Sequence, residues 1–418
     1  MDDRTPSDPV MNSFAVNSRP ATDDQAASPE QALLSAVRPE AAGAPESGIV
    51  EVFNYGRGRQ GLIPLWVGEG DMPTPSFIQD AATRSLAAGE TFYTYQRGLP
   101  ELRDAISRYM SRVYGQALPA ERFFVTIGGM HALQMAIRVA AGAGDEVLIP
   151  SPAWPNFLGA VGIGGAVPVE VPMAVDPVRN RWSLDVERLA AAVTPRTKLI
   201  IVNSPANPTG WTATREELEA ILALARRHGL WIIADEIYGR FVFDGSERAP
   251  SFHDIMAEDD RIIFVQTFSK NWAMTGWRIG WLECHPALGQ VIENLMQYSC
   301  SGVPAFIQRA AIAALEQGEG FVQHQIERVR RGRDIICSGL AATGKVEFAD
   351  PAGAFYLFFS IKGEQDTRRA ALRLVDEANV GIAPGTAFGV GGERYFRLCF
   401  ARRAEDIQEA ARRLAAAV

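Results

Sequence analysis

Cysteine is scarce in this chain. There are four in 418 residues, at Cys284, Cys300, Cys337 and Cys399, and none falls in a Cys-x-x-Cys pair. Neither a zinc knuckle nor a disulfide framework is indicated, and a reducing cytoplasm fits. An excess of positive charge is also missing. Lys and Arg number 41 against 49 Asp and Glu, for a net charge of −8, which argues against nucleic acid as the main partner. No apolar run approaches the length that spans a membrane. The acidic amino terminus has no apolar core, so no signal peptide is expected. The five histidines show no metal-ligand pattern. The run Gly339 to Lys345 misses the last residue of a nucleotide P-loop, with Val346 where a hydroxyl is needed, and it follows a helical stretch. The glycines at Gly162, Gly164 and Gly165 lack dinucleotide-binding spacing. There is no internal repeat. An anionic small-molecule site survives all of these absences, because a few local arginines suffice for one.

With 47% hydrophobic residues, the chain can bury a large core and is expected to divide into two domains. Residues 1–47 are rich in Ala, Pro, Ser and acids and read as a flexible extension, with a helical turn or two at Gln31 to Val37. The alternative is an arm that wraps a partner subunit. From Glu121 the sequence alternates apolar runs with helical stretches. Phe123–Thr126, Glu146–Ile149, Val167–Val171, Lys198–Val202, Leu230–Asp235 and Arg261–Gln266 are the expected strands. Helices are expected at His131–Ala141, Asn156–Gly162, Leu184–Val193 and Arg215–His228. The last carries a capping box at Thr214 and Glu217 and a terminal Gly229. Such alternation implies an α/β fold, a mostly parallel sheet with helices on both faces. Ligands then collect at the carboxyl ends of the strands. A large domain is expected at 76–319, and a smaller one is expected from 48–75 together with 320–418.

The most informative stretch is Thr267-Phe-Ser-Lys270-Asn-Trp-Ala-Met-Thr-Gly-Trp-Arg278-Ile-Gly280. It places two hydroxyls, an amine and a guanidinium on one short connection after a strand. That set suits a phosphorylated aldehyde: Lys270 can bond the aldehyde, while Thr267, Ser269 and Arg278 grip the phosphate. The bland reading is a strand end with a surface lysine and a structural arginine. The stretch closely resembles the lysine motif of the class I (class I/II) aminotransferases, pyridoxal-phosphate-dependent enzymes of fold type I. Other segments extend the resemblance, in the family's order and spacing. In Ala234-Asp235-Glu-Ile-Tyr238 it implies that Asp235 pairs with the cofactor ring nitrogen and that Tyr238 reaches the phenolic oxygen. In Asn203-Ser-Pro-Ala-Asn207-Pro208 it implies that Asn207 donates to that same oxygen. Taken singly, Asp235 reads as a helix N-cap and Asn207-Pro208 as an ordinary turn.

The glycine turn Gly128-Gly129-Met130 before a helix suits a phosphate, and the resemblance implies N–H contacts from Gly129 and Met130. It makes Trp154 the aromatic stacked on the cofactor ring, with a core tryptophan as the alternative. It makes Tyr93 a residue that reaches the phosphate of a neighbouring subunit, with Tyr95 as rival, and hence implies a homodimer with shared sites. Arg397, an arginine inside an apolar run, is costly unless paired; the resemblance implies that it binds the substrate α-carboxylate, toward which Gly68 presents its backbone. The fold implied has a seven-stranded sheet in the large domain and an α+β small domain. The reaction implied is amino-group exchange between an L-amino acid and a 2-oxo acid. A β-lyase or an aminocyclopropane-carboxylate synthase shares these motifs. A transcriptional regulator on the same scaffold would need a basic DNA-binding domain, and the first 48 residues are too short and acidic for one. Some aspartate enzymes of the family carry a lysine where this chain has Met130. With Trp66, Met72 and Phe388 as apolar surface, a neutral or aromatic donor is expected, and 2-oxoglutarate or pyruvate as acceptor.

Overall fold

The computed structural model describes residues 28–418; most of the expected flexible extension lies outside them. Residues up to Ala42 belong to a unit separate from Gly43–Val418. The described part of that first unit is helical, at Pro29–Ser35 and Pro39–Ala42. It is not uniformly irregular, because Ser28 and Gln31 close a capping box on the first helix.

Within Gly43–Val418, seven strands form the main sheet: β1 (Phe123–Thr126), β2 (Glu146–Ser151), β3 (Val167–Pro172), β4 (Thr197–Asn203), β5 (Trp231–Asp235), β6 (Ile262–Thr267) and β7 (Gly280–Glu283). Their spatial order is β1-β7-β6-β5-β4-β2-β3. All pairs are parallel except those of β7, which runs antiparallel to both β1 and β6. Period-two alternation sends Leu199 and Ile201 to one face and Ile200 and Val202 to the other, and each face meets its own apolar layer. The helices Gly128–Ala140 and Pro155–Ile163 contribute to one layer, and Arg215–His228 contributes to the other. The last helix has the expected bounds. Thr214 Oγ1 accepts from the Glu217 N–H, the Glu217 carboxylate accepts from the Thr214 N–H, and Gly229 closes the helix at φ 65°.

Two local readings change. β7 has no sequence signal of its own, since Gly280-Trp-Leu-Glu283 is too short for periodicity to register. It exists because Gly280 pairs with both Thr126 and Thr267. The helix expected from His131 begins three residues earlier, at Gly128, so the glycine turn is the first turn of the helix itself.

A second, antiparallel sheet has the order β8-β9-β11-β10, with β8 at Val346–Phe348, β9 at Tyr356–Ile361, β10 at Ala383–Pro384 and β11 at Phe396–Cys399. The segment Ile63–Pro64 pairs with Val380–Gly381. It then runs on between this sheet and the connection after β6. Among the described residues no helix is long and apolar enough to cross a membrane.

Candidate active site

The carboxyl ends of β1, β4, β5 and β6 open on one cavity of about 400 Å³. The structure brings Gly129, Met130, Trp154, Asn207, Asp235 and Tyr238 to its wall. Thr267, Ser269, Lys270 and Arg278 join them from the connection after β6, and Gly68 and Arg397 from the other side. Tyr93 is not brought there. It is 95% exposed and borders a separate groove with residues 300–306.

One end of the cavity is built for an anion. Gly128, at φ 74°, turns the chain from β1 into the helix Gly128–Ala140. A Cβ on Gly128 would lie 2.9 Å from an Arg278 Nη, so glycine permits the close approach of the guanidinium. Thr267 Oγ1 donates to Ser269 Oγ at 3.0 Å and accepts from the Ser269 N–H at 3.1 Å, which fixes both hydroxyls. Arg278 donates to the Thr275 carbonyl at 2.8 Å, and no carboxylate among the described residues pairs with it. A helix amino terminus, two hydroxyls and an unneutralised arginine match a phosphate.

At the centre stand Asp235 and Lys270. Asp235 is 2% exposed and its side chain receives one long hydrogen bond, from the Ile237 N–H at 3.4 Å. Burial, aided by the nearby charge of Glu236, pushes its carboxyl up to about 7. No helix follows it to be capped. A protonated ring nitrogen would supply the missing cation. Lys270 Nζ donates to the Gly68 carbonyl at 2.7 Å. Burial pulls the amine down to about 8, against the opposing pull of Cys399 and Glu69, so roughly a tenth is neutral and nucleophilic at pH 7, far more than for an ordinary lysine. Asn207 is held by its own N–H on the Asn203 side chain at 2.9 Å. The neighbouring acid, Glu236, is turned away from the cavity and bound by Tyr114 and Ser251.

Arg397 lies on β11 and is 2% exposed. It donates to Asn207 Oδ1 at 3.2 Å and to the Trp66 carbonyl. Its Nε has no partner, and no carboxylate among the described residues pairs with it. A buried guanidinium without a counter-ion, facing a cavity, is the donor set that a ligand carboxylate would complete. The residues present therefore fit pyridoxal phosphate together with an amino acid.

Of the three residues expected to give apolar surface near the pocket, Trp66 lines the cavity, while Met72 and Phe388 stand behind its wall. Phe388 lies beneath Arg397, its ring centroid 5.0 Å from the guanidinium carbon. Unforeseen wall residues are Ile49, Val50, Glu69, Asn156 and Tyr356. Only Tyr356 carried a signal, as a tyrosine in a strand of phenylalanines whose hydroxyl must find a partner.

Residues 62–414 match the family described as aminotransferase class I and II. The aspartate/prephenate aminotransferase of Thermus thermophilus is 36% identical over 85% of this chain and 91% of its own length. The aromatic-amino-acid aminotransferase 2 of Thermococcus litoralis is 34% identical over 88% of this chain and 94% of its own. The structure of an aspartate aminotransferase from Thermus thermophilus with maleate superposes with a TM-score of 0.84 at 34% identity, covering 91% of this chain and 99% of that one. With a phosphate cradle, a lysine whose amine is lowered by burial, a buried aspartate without an ion-pair partner and a free arginine around one cavity, the chain belongs to the class I and II aminotransferases, fold type I enzymes that use pyridoxal phosphate to exchange an amino group between an amino acid and a 2-oxo acid.

Proposed function

We propose that Lys270 is the lysine that bonds the cofactor and then moves the proton at the substrate α-carbon, and that the donor substrate is a neutral or aromatic amino acid. When bound, pyridoxal phosphate supplies an aldehyde that takes the amino group and a ring that withdraws electrons from the α-carbon. The observation that carries the catalytic reading is that Lys270 and Asp235 face one cavity and neither makes an ion pair among the described residues. Neutral Lys270 accepts the α-proton. Asp235 holds the proton on the ring nitrogen. Asn207 and Tyr238 would donate to the phenolic oxygen, Trp154 would pack on the ring, and Gly129, Met130, Thr267, Ser269 and Arg278 would hold the phosphate. Arg397 would take the α-carboxylate, with the Gly68 backbone beside it.

The donor preference is supported by the rest of the wall. Ile49, Val50, Trp66 and Met130 offer apolar surface. Once Lys270, Arg278 and Arg397 have their roles, no cationic lining residue remains among the described residues for a distal carboxylate, and Glu69 would repel one. A homodimer is supported by Tyr93, which is 95% exposed and flanked by Phe92 at 85%. The same reading takes 48–75 with 320–418 as a small domain, because Gly68 and Arg397 approach from that side, and 76–319 as the large one.

The test loads the enzyme with cofactor, adds each amino acid alone and follows loss of the visible absorbance. Phenylalanine, methionine or alanine should react fastest. Aspartate or glutamate reacting far faster would end the neutral-pocket reading and send the search to a cationic residue from a partner subunit. Pyruvate and ammonia released without added 2-oxo acid would instead identify a lyase.

A further inference from the structure

Tyr356 is a buried phenol at the heart of the site that none of these roles uses. It opens β9 and is fully buried. Its hydroxyl lies 2.7 Å from the hydroxyl of Tyr238, and the two rings meet edge to face at 5.6 Å. The Arg397 guanidinium carbon sits 4.8 Å from the centroid of its ring. Gly68 closes the third side: a Cβ there would fall 2.2 Å from the Tyr356 oxygen. The segment carrying Gly68 thus passes this hydroxyl where only glycine leaves room.

We propose that Tyr356 is a positioning residue for amino-group transfer: its hydroxyl sets the direction of the Tyr238 hydrogen bond, and its ring supports Arg397. The inference rests on the roles given above to Tyr238 and Arg397. It follows from counting protons. Burial pushes both phenols above their ordinary range, so both keep their protons at neutral pH. Two O–H groups then share one short contact, and among the described residues neither oxygen has another partner. If Tyr238 donated to Tyr356, its proton would be lost to an acceptor in the cavity, and the Tyr356 proton would have no partner among the described residues. With Tyr356 donating, the Tyr238 proton is free for an acceptor in the cavity, and the donor chain makes Tyr238 a stronger donor. The ring acts separately. The Arg397 guanidinium carbon lies 4.8 Å from the Tyr356 centroid and 5.0 Å from that of Phe388, so two rings hold the guanidinium where no carboxylate among the described residues does.

Tyr356→Phe separates hydroxyl from ring. The readout is the pH midpoint of the visible absorbance of the cofactor-loaded enzyme without substrate. A weaker Tyr238 donor leaves more charge on the phenolic oxygen, which holds the neighbouring proton harder. The midpoint should therefore rise by roughly half to one unit, the scale of one hydrogen bond. The KM for the donor amino acid should stay within about twofold, because the ring remains. Tyr356→Met removes the ring too, and KM should rise by roughly fivefold or more. Tyr238→Phe is the control. If it leaves the midpoint unmoved, the role given to Tyr238 fails first. If it moves the midpoint while Tyr356→Phe does not, only the present inference is overturned. The double variant should match Tyr238→Phe alone, and an additive shift would mean that Tyr356 does not act through Tyr238. An unchanged KM in Tyr356→Met would remove the ring's support of Arg397.

Discussion

Asp235 and Glu236 are neighbours in sequence and nearly equal in burial, at 2% and 6% exposure, yet they face regions built on opposite rules. Asp235 looks into the cavity, where Lys270, Arg278 and Arg397 also stand without a carboxylate partner. Glu236 looks into a closed network. There Tyr114 donates to it at 2.9 Å and Ser251 at 2.8 Å, and Ser251 meets His253 Nδ1 at 3.0 Å. His253 Nε2 meets Glu283 at 3.0 Å, and Glu283 receives Arg122 at 2.9 Å. Burial acts to raise the Glu283 carboxyl, but His253 and Arg122 pull it below the usual carboxylate range. Both regions bury charge; only one leaves it unpaired. Burial alone does not mark a ligand site, whereas a buried charge whose partner is missing does.

Substitutions can break that contrast. The largest effect is expected at Lys270. Lys270→Ala should lower turnover by about four orders of magnitude or more, and borohydride reduction of the wild type should tag this lysine in a peptide map. A tag on another lysine would overturn the assignment of the site.

Asp235→Asn should slow the half-reaction by roughly two to four orders of magnitude, since an amide cannot hold a ring proton. A near-normal rate would remove Asp235 from its role. The same variant has a second signature in the cofactor-free protein. A carboxyl raised from 3.8 to about 7 on folding favours the folded state while protonated, and that advantage is lost as pH rises through 7. Asp235→Asn should therefore raise the melting temperature of the cofactor-free chain at pH 8, by up to about 4 kcal/mol in stability, and much less at pH 4. Equal gains at both pH values would show that the burial penalty is not ionic. Lys270 has the opposite sign: its lowered value costs stability that returns only as pH rises above about 8.

In the closed network the pattern should invert. Arg122→Met leaves Glu283 without its cation and should cost about 3–5 kcal/mol of unfolding free energy, read by denaturant titration. Turnover per folded site should stay within about twofold. A large loss of turnover with little loss of stability would mean that the network serves catalysis. The smallest effect is expected far from both regions. Thr214→Ala removes the cap of helix Arg215–His228 and should cost about 1 kcal/mol with unchanged kinetics.

Most of the site was legible because its chemistry is local. The hydroxyl, lysine and arginine of residues 267–278 lie on one connection, and the glycine turn lies at one strand end. Strands β1 to β6 were legible too, since continuous apolar runs between helical stretches need no partner to be recognised. β7 was not, because four residues carry no period and its place depends on two flanking strands. Met72 and Phe388 stand behind the wall and not on it, because apolar character says that a side chain is buried, and only packing says against what. Ile49 and Val50 were missed for the same reason.

The sequence by itself determined the residue types, the alternation that makes a parallel sheet, and the strand ends at which the reactive groups fall. Tertiary structure decided which of those groups go unpaired. Residue type and burial do not tell Asp235 from Glu236; in the sequence only the resemblance singled out Asp235. Their difference arises because Ser251, His253, Glu283 and Arg122, distant in the chain, close around one, while nothing but a cavity faces the other. Tyr356 and Gly68 likewise meet only because the segment after Ile63–Pro64 is laid against β9. Contacts between residues hundreds of positions apart depend on the whole fold, and no local pattern encodes them.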